Sequence, residues 1–311
     1  MDTIEILMKI LPLLATVVLG YFLYRNGFLK DSFLNGFKKI VVNVTLPAGL
    51  VVAFASIDFQ IKYLLVFTSV FAACAIMLLI GKALAKILKI KSPYFPYLLT
   101  GFEAGMLGYA LYGGIYGLDR LSEFGIVDVG QVLFVFLVTV PLIAGHNKDK
   151  EVGFFKQSLK TAVKSPVIWS ILIGLILSIA GISKLSESVA FKTIENILDF
   201  IALPTPFLIC LVIGSGLKFS FGRMKVESLT AVMKIVLSIG FAAVIFHLAL
   251  KPLGLSPLLG VPLFSMFVLP GPFVIPVFMD STNRAEVEFV SNTLSIGTLL
   301  GLAGFIVISL L

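Results

Sequence analysis

Ten apolar runs divide this chain of 311 residues, and their number and length decide its fold class before any motif is read. Between charged residues and Gly/Pro punctuation the runs fall at 4–24, 33–55, 63–81, 93–116, 126–145, 166–183, 195–217, 228–250, 257–279 and 286–311. A hydrocarbon layer about 30 Å thick takes ~20 apolar residues of helix, so ten spans with short connections use up the chain. No length remains for a separate water-soluble domain. The expected fold is an all-α membrane protein of ten transmembrane helices. Composition agrees: 59% of residues are hydrophobic and 13% charged, against about 25% charged in soluble domains. The opening Met1-Asp2-Thr3-Ile4-Glu5 lacks a basic n-region and no small-residue cleavage site follows, so the first span is expected to be retained.

Loop charge sets the orientation. The odd connections hold 17 basic residues: Arg25, Lys30, Lys38, Lys39, Lys82, Lys86, Lys89, Lys91, Lys148, Lys150, Lys156, Lys160, Lys164, Lys218, Arg223, Lys225 and Arg284. The N-terminal end and the even connections hold six: Lys9, Lys62, Arg120, Lys184, Lys192 and Lys251. Positive loops stay cytoplasmic, which puts both termini outside a bacterial-type plasma (inner) membrane. A missed span would destroy the alternation. The net charge of +7 then reflects loops beside an anionic leaflet, and no basic patch interleaved with aromatics suggests nucleic acid.

The longest connection, Gly145 to Ser165, lies near mid-chain and prompts a search for a repeat. A Leu-Pro pair at Leu46-Pro47 in segment two recurs at Leu203-Pro204 in segment seven. Segments four and nine, two places further on in each half, are the richest in Gly and Pro. Five spans per half invert the second half, giving a 5+5 inverted repeat with halves 1–145 and 166–311. Interrupted hydrophobic segments at matching places of inverted halves point to a secondary transporter's binding site.

The stretch VLPGPFVIPVF (268–278), followed by a polar turn and a last apolar helix, resembles the end of auxin efflux carrier permeases, the family of plant PIN proteins and bacterial organic-acid permeases. FEAGMLGYAL (102–111) resembles that family's first-half motif, and NVTLPA (43–48) fits its Leu-Pro. Where the family has Asn this chain has Glu103, and where a Pro often follows the Gly it has Ala110. The second departure leads to the expectation that Gly105 and Gly108 open the helix. The resemblance implies a PIN-like, bile-acid-symporter-like fold with two broken crossover helices, segments four and nine, meeting at the substrate site. It further implies a scaffold of 4–55 and 166–217 that often forms a homodimer, and a moving bundle of 63–145 and 228–311.

The residue chemistry supports an anion site. Half-helix N-termini carry partial positive charge and free N–H donors, suited to a carboxylate. The alternative is that Pro270, Pro272 and Pro276 merely kink a span while Gly101, Gly105 and Gly108 permit close packing. The candidate substrate-binding residues are Gly101, Glu103, Ala104, Gly105 and Gly108, then Pro270, Gly271 and Pro272, and Asn292 of segment ten. Glu103 falls near the midplane, where a carboxylate is costly and usually functional or protonated. It is expected to take a proton as a carboxylate substrate binds, or else to be a structural group capped by a backbone amide or a Lys. Glu103 and Ser295 are the candidates for the coupling proton or cation.

Other polar residues carry competing readings. Glu288, Ser291, Asn292, Ser295 and Thr298 share one face of segment ten as a polar wall or as helix-to-helix bonding, with Gly297, Gly301 and Gly304 on the other side. Asp128, Gln131 and Thr139 make a thinner stripe, with Asp128 expected at the interface. Lys234 reaches a substrate carboxylate or Glu103, or snorkels to the surface; snorkelling is preferred. His247 is read as interfacial and Asn43 as structural.

Enzyme readings find no support: H-E-x-x-H and G-x-S-x-G are absent. His146 and His247 are too few for a metal site, GSGLKFSFG (214–222) reads as a helix stop, and Cys74 and Cys210 sit in apolar runs. No cofactor or metal is expected. The expected function is proton-coupled transport of small organic anions. Sodium-coupled symport of the bile-acid type and a ligand sensor or scaffold without transport are the alternatives.

Overall fold

The computed structural model describes residues 3–57, 59–145, 166–181, 188–216, 224–279 and 282–311. Among the described residues there are helices and turns and no strand. The helices are α1 (Thr3–Arg25), α2 (Ser32–Ala55), α3 (Tyr63–Ile87), α4 (Phe95–Leu98), α5 (Tyr109–Tyr116), α6 (Leu118–Ile143), α7 (Pro166–Ile179), α8 (Phe191–Gly216), α9 (Lys225–Leu250), α10 (Ser256–Phe267), α11 (Ile275–Phe278) and α12 (Arg284–Leu310). By length and composition α2, α3, α6, α8, α9 and α12 are each able to cross a membrane. The 25 residues of α3, at 1.5 Å per residue, reach about 37 Å. Segments four and nine are each split into two helices. His146, the basic run Lys148 to Lys164, Lys184, and Lys218 and Arg223 beyond the start of the glycine-rich stretch lie outside the described residues.

Small residues set the helix spacing, as they do where lipid offers no hydrophobic drive for helices to associate. α1 runs against the second half of α8 so closely that a Cβ on Gly214 would stand 1.8 Å from the Val17 carbonyl oxygen, and one on Gly20 would stand 2.2 Å from that of Leu211. α7 meets α2 at Gly174, against Phe54. On the other side α3 packs on α6 through Gly130, whose absent Cβ would sit 2.2 Å from the Phe67 oxygen, and α9 packs on α12. Outward faces are apolar, as Val232 and Val236 of α9 and Ile173 and Ile176 of α7 illustrate.

The Leu-Pro pairs act differently. Pro47 has no N–H to donate, and α2 absorbs the loss with a π-helical turn, Val41–Thr45, closed by a bond from Leu46 N–H to Val41 O. The Asn43 amide donates to Lys39 O at 2.7 Å and is exposed, in keeping with a structural role. At Leu203-Pro204 α8 turns between its two helical parts.

Candidate functional site

Segment four stops being helical at Leu98 and resumes at a π-helical turn, Ala104–Gly108, which leads into α5. Between them Gly101 adopts φ +67°, the left-handed region that L side chains avoid. The break therefore opens at Gly101, not at Gly105 and Gly108 as the sequence suggested. Those two glycines lie within the π-helical turn and serve space instead. A Cβ on Gly108 would meet the Phe124 ring at 2.5 Å and Leu269 at 2.8 Å, whereas Gly105 leaves room beside the Glu103 carboxylate.

Segment nine breaks between Phe267 and Ile275, over a stretch containing Pro270 and Pro272, neither able to donate a backbone bond. The two breaks touch. Glu103 N–H donates to Pro270 O at 2.9 Å, and Phe273 N–H donates to the Glu103 carboxylate at 2.5 Å. A Cβ on Gly101 would stand 3.1 Å from Pro272, and one on Gly271 would stand 3.1 Å from Leu98 O. Glu103 is only 7% exposed. Backbone groups that hydrocarbon would leave unpaired thus satisfy one another where the two breaks touch, and the carboxylate takes the amide that precedes α11. Of the predicted residues, Gly101, Glu103, Pro270, Gly271 and Pro272 come together here.

Two charged side chains hold the first break from outside it, and the sequence placed both elsewhere. Lys234 does not snorkel: it is 3% exposed, its Nζ donates to Gly101 O at 2.6 Å, and it lies 3.7 Å from the centre of the Phe102 ring. Asp128 is not interfacial: it is 1% exposed and accepts from Tyr109 Oη and Gln131 Nε2, both at 2.9 Å. Gln131 Oε1 accepts from Phe102 N–H at 3.3 Å, so Asp128 orients the amide that grips the break. Thr100 Oγ1 adds a bond of 2.7 Å to Cys74 O of α3. The i, i+3 spacing of Asp128 and Gln131 on one helix was the available signal.

α12 turns its glycine face toward the break of segment nine. Gly297 meets Pro270 at 3.2 Å, Gly301 meets Val268 O at 3.0 Å and Gly304 meets Val268 Cβ at 3.1 Å, measured from the Cβ each lacks. Thr293 and Gly297 line a small cavity with Lys234, Pro270 and Gly271. Asn292, Ser295 and Thr298 are buried, with Asn292 and Ser295 on the opposite side of α12 from Thr293 and Gly297 by helical geometry. Glu288 is exposed, and His247 is exposed near the end of α9. At the start of α12, Glu286 accepts a close hydrogen bond from Ser92, just ahead of α4.

Residues 5–309 match the model of a family described as membrane transport protein. An uncharacterized transporter of Methanothermobacter thermautotrophicus is 26% identical over 306 residues, 94% of each chain. The uncharacterized transporter YfdV of Escherichia coli is 26% identical over 184 residues, covering 56% of this chain and 58% of its own length.

Proposed function

We propose, because the chain belongs to the membrane transport protein family that its auxin-efflux-carrier motifs pointed to, that this multi-pass membrane protein is a secondary active carrier of small organic anions. Dicarboxylates and other weak acids are the substrate class, and protons drive it. The observation that carries the reading is the contact of two broken segments, one from each half of the chain, through Glu103, Pro270 and Phe273. Broken helices meeting near the midplane are how secondary transporters expose backbone donors to an anion.

In this reading the fold is a ten-span 5+5 inverted repeat of residues 1–145 and 166–311. The scaffold is 4–55 with 166–217, supported by the packing of α1 on α8 and α2 on α7. The bundle is 63–145 with 228–311, supported by α3 on α6 and α9 on α12. Without substrate, ionised Glu103 occupies the Phe273 N–H and repels a second carboxylate. Protonation of Glu103 removes the repulsion and frees that N–H for the substrate carboxylate, so one proton travels with the anion. The bundle then shifts against the scaffold to alternate access.

Uptake of radiolabelled succinate into liposomes carrying the purified protein tests this. Wild-type uptake should rise as the outside is acidified, by at most about tenfold per pH unit for one linked proton. Replacing sodium by N-methylglucamine at fixed pH should change nothing. Glu103→Gln should flatten the pH profile; uptake with an unaltered profile and rate would remove Glu103 from the proton path, and uptake that needs sodium would replace protons with sodium.

A further inference from the structure

An ammonium buried in a membrane helix has three protons to place and little water to receive them. Lys234 lies nine residues into α9, about 14 Å along its axis and so roughly half-way through the hydrocarbon layer. Its stem runs inward, its Nζ donates to Gly101 O, and the face of Phe102 covers it. Gly101 O is one of the carbonyls that the break releases from helix bonding, and carbonyls of unwound membrane helices attract cations. From the other packed elements Cys74 of α3 stands near it, with Asp128 of α6, held by Tyr109 and Gln131, on the far side of that cysteine, and Thr293 of α12 faces it across the cavity.

We propose that Lys234 is a tethered cation: its ammonium occupies the place at the segment-four break that an uncharged site would fill with a dissociable alkali cation, so the crossing assembles without sodium. A free sodium ion and a fixed ammonium cannot share one carbonyl in a site of low dielectric, because like charges repel strongly there. Lysine at this place therefore selects against sodium dependence. Phe102 adds to the grip, since an aromatic face favours an organic ammonium through its quadrupole. The inference deepens the carrier reading by naming the occupant of the cation position. Its test reads ion dependence of folding, so it stands or fails apart from whether any organic anion moves.

The test is thermal unfolding of the purified full chain in detergent, in sodium, potassium or N-methylglucamine chloride at equal ionic strength. Wild type should unfold at one temperature in all three salts. Lys234→Ala should unfold several degrees lower in N-methylglucamine and regain part of that loss in sodium, because the vacated place then admits a small cation. Lys234→Arg should remain indifferent to the salt. If the alanine variant fails to fold, Lys234→Gln, which keeps a donor and most of the stem without the charge, carries the same expectation of sodium response. A wild-type protein stabilised by sodium over N-methylglucamine, or a folded Ala or Gln variant blind to the cation supplied, overturns the proposal. Ion-indifferent wild type, a sodium-responsive variant and no succinate uptake would uphold it while removing the proposed substrate class.

Discussion

Gly101→Val is expected to reduce transport per folded molecule by roughly 100-fold. Gly101 holds φ +67°, where an L side chain costs about 1–2 kcal/mol and a β-branched one more. Its Cβ would also stand 3.1 Å from both Pro272 and Val135, so relief of the strain must move the break. Moving it displaces Gly101 O from Lys234 and the neighbouring Phe102 N–H from Gln131. A combined penalty of about 3 kcal/mol corresponds to roughly 100-fold, at 1.4 kcal/mol per tenfold. Succinate uptake normalised to monodisperse protein measures it, with Gly240→Ala, which meets nothing within 4 Å, as the control. A valine variant with wild-type uptake would mean that the left-handed turn has no part in transport.

Gly214→Ala should be the most damaging single methyl outside the two breaks. Its Cβ would fall 1.8 Å from Val17 O and 2.7 Å from Val17 C, and backbone, unlike a side-chain tip, does not swing aside. α1 and α8 must separate, at an overpacking cost of about 3 kcal/mol or more. The unfolding temperature in detergent should fall by roughly 5–10 °C. Gly216→Ala, two residues on with nothing within 4 Å, should leave it unchanged. Equal stability of the two variants would contradict the close packing of α1 on α8.

Apolar run length made the helical class legible, because hydrocarbon permits few other structures. Gly and Pro density marked both breaks, since these residues lower the cost of interrupting a helix. Which glycine opens segment four was not legible: Gly101, Gly105 and Gly108 are alike in sequence, and only Gly101 takes the left-handed backbone once the chain is folded. The fates of Lys234 and Asp128 were hidden for a related reason. A lone charge in an apolar run does not reveal which way its helix faces, and partners such as Gly101 O and Tyr109 exist only once distant segments meet. In α12 both faces were visible in the sequence, but spacing alone does not say which one packs inward, and close packing turns the glycines toward Val268 and Pro270.

The two touching breaks are expected to move an organic anion rather than merely bind one. Counterflow measures this most directly: liposomes loaded with an unlabelled carboxylate, chosen from mono- and dicarboxylates that raise the protein's unfolding temperature, are diluted into a trace of the labelled acid. A carrier should give transient accumulation of label above its equilibrium level, present with wild type and lost with Gly101→Val. Stabilisation by a carboxylate with neither counterflow nor uptake would contradict it and leave a membrane ligand sensor.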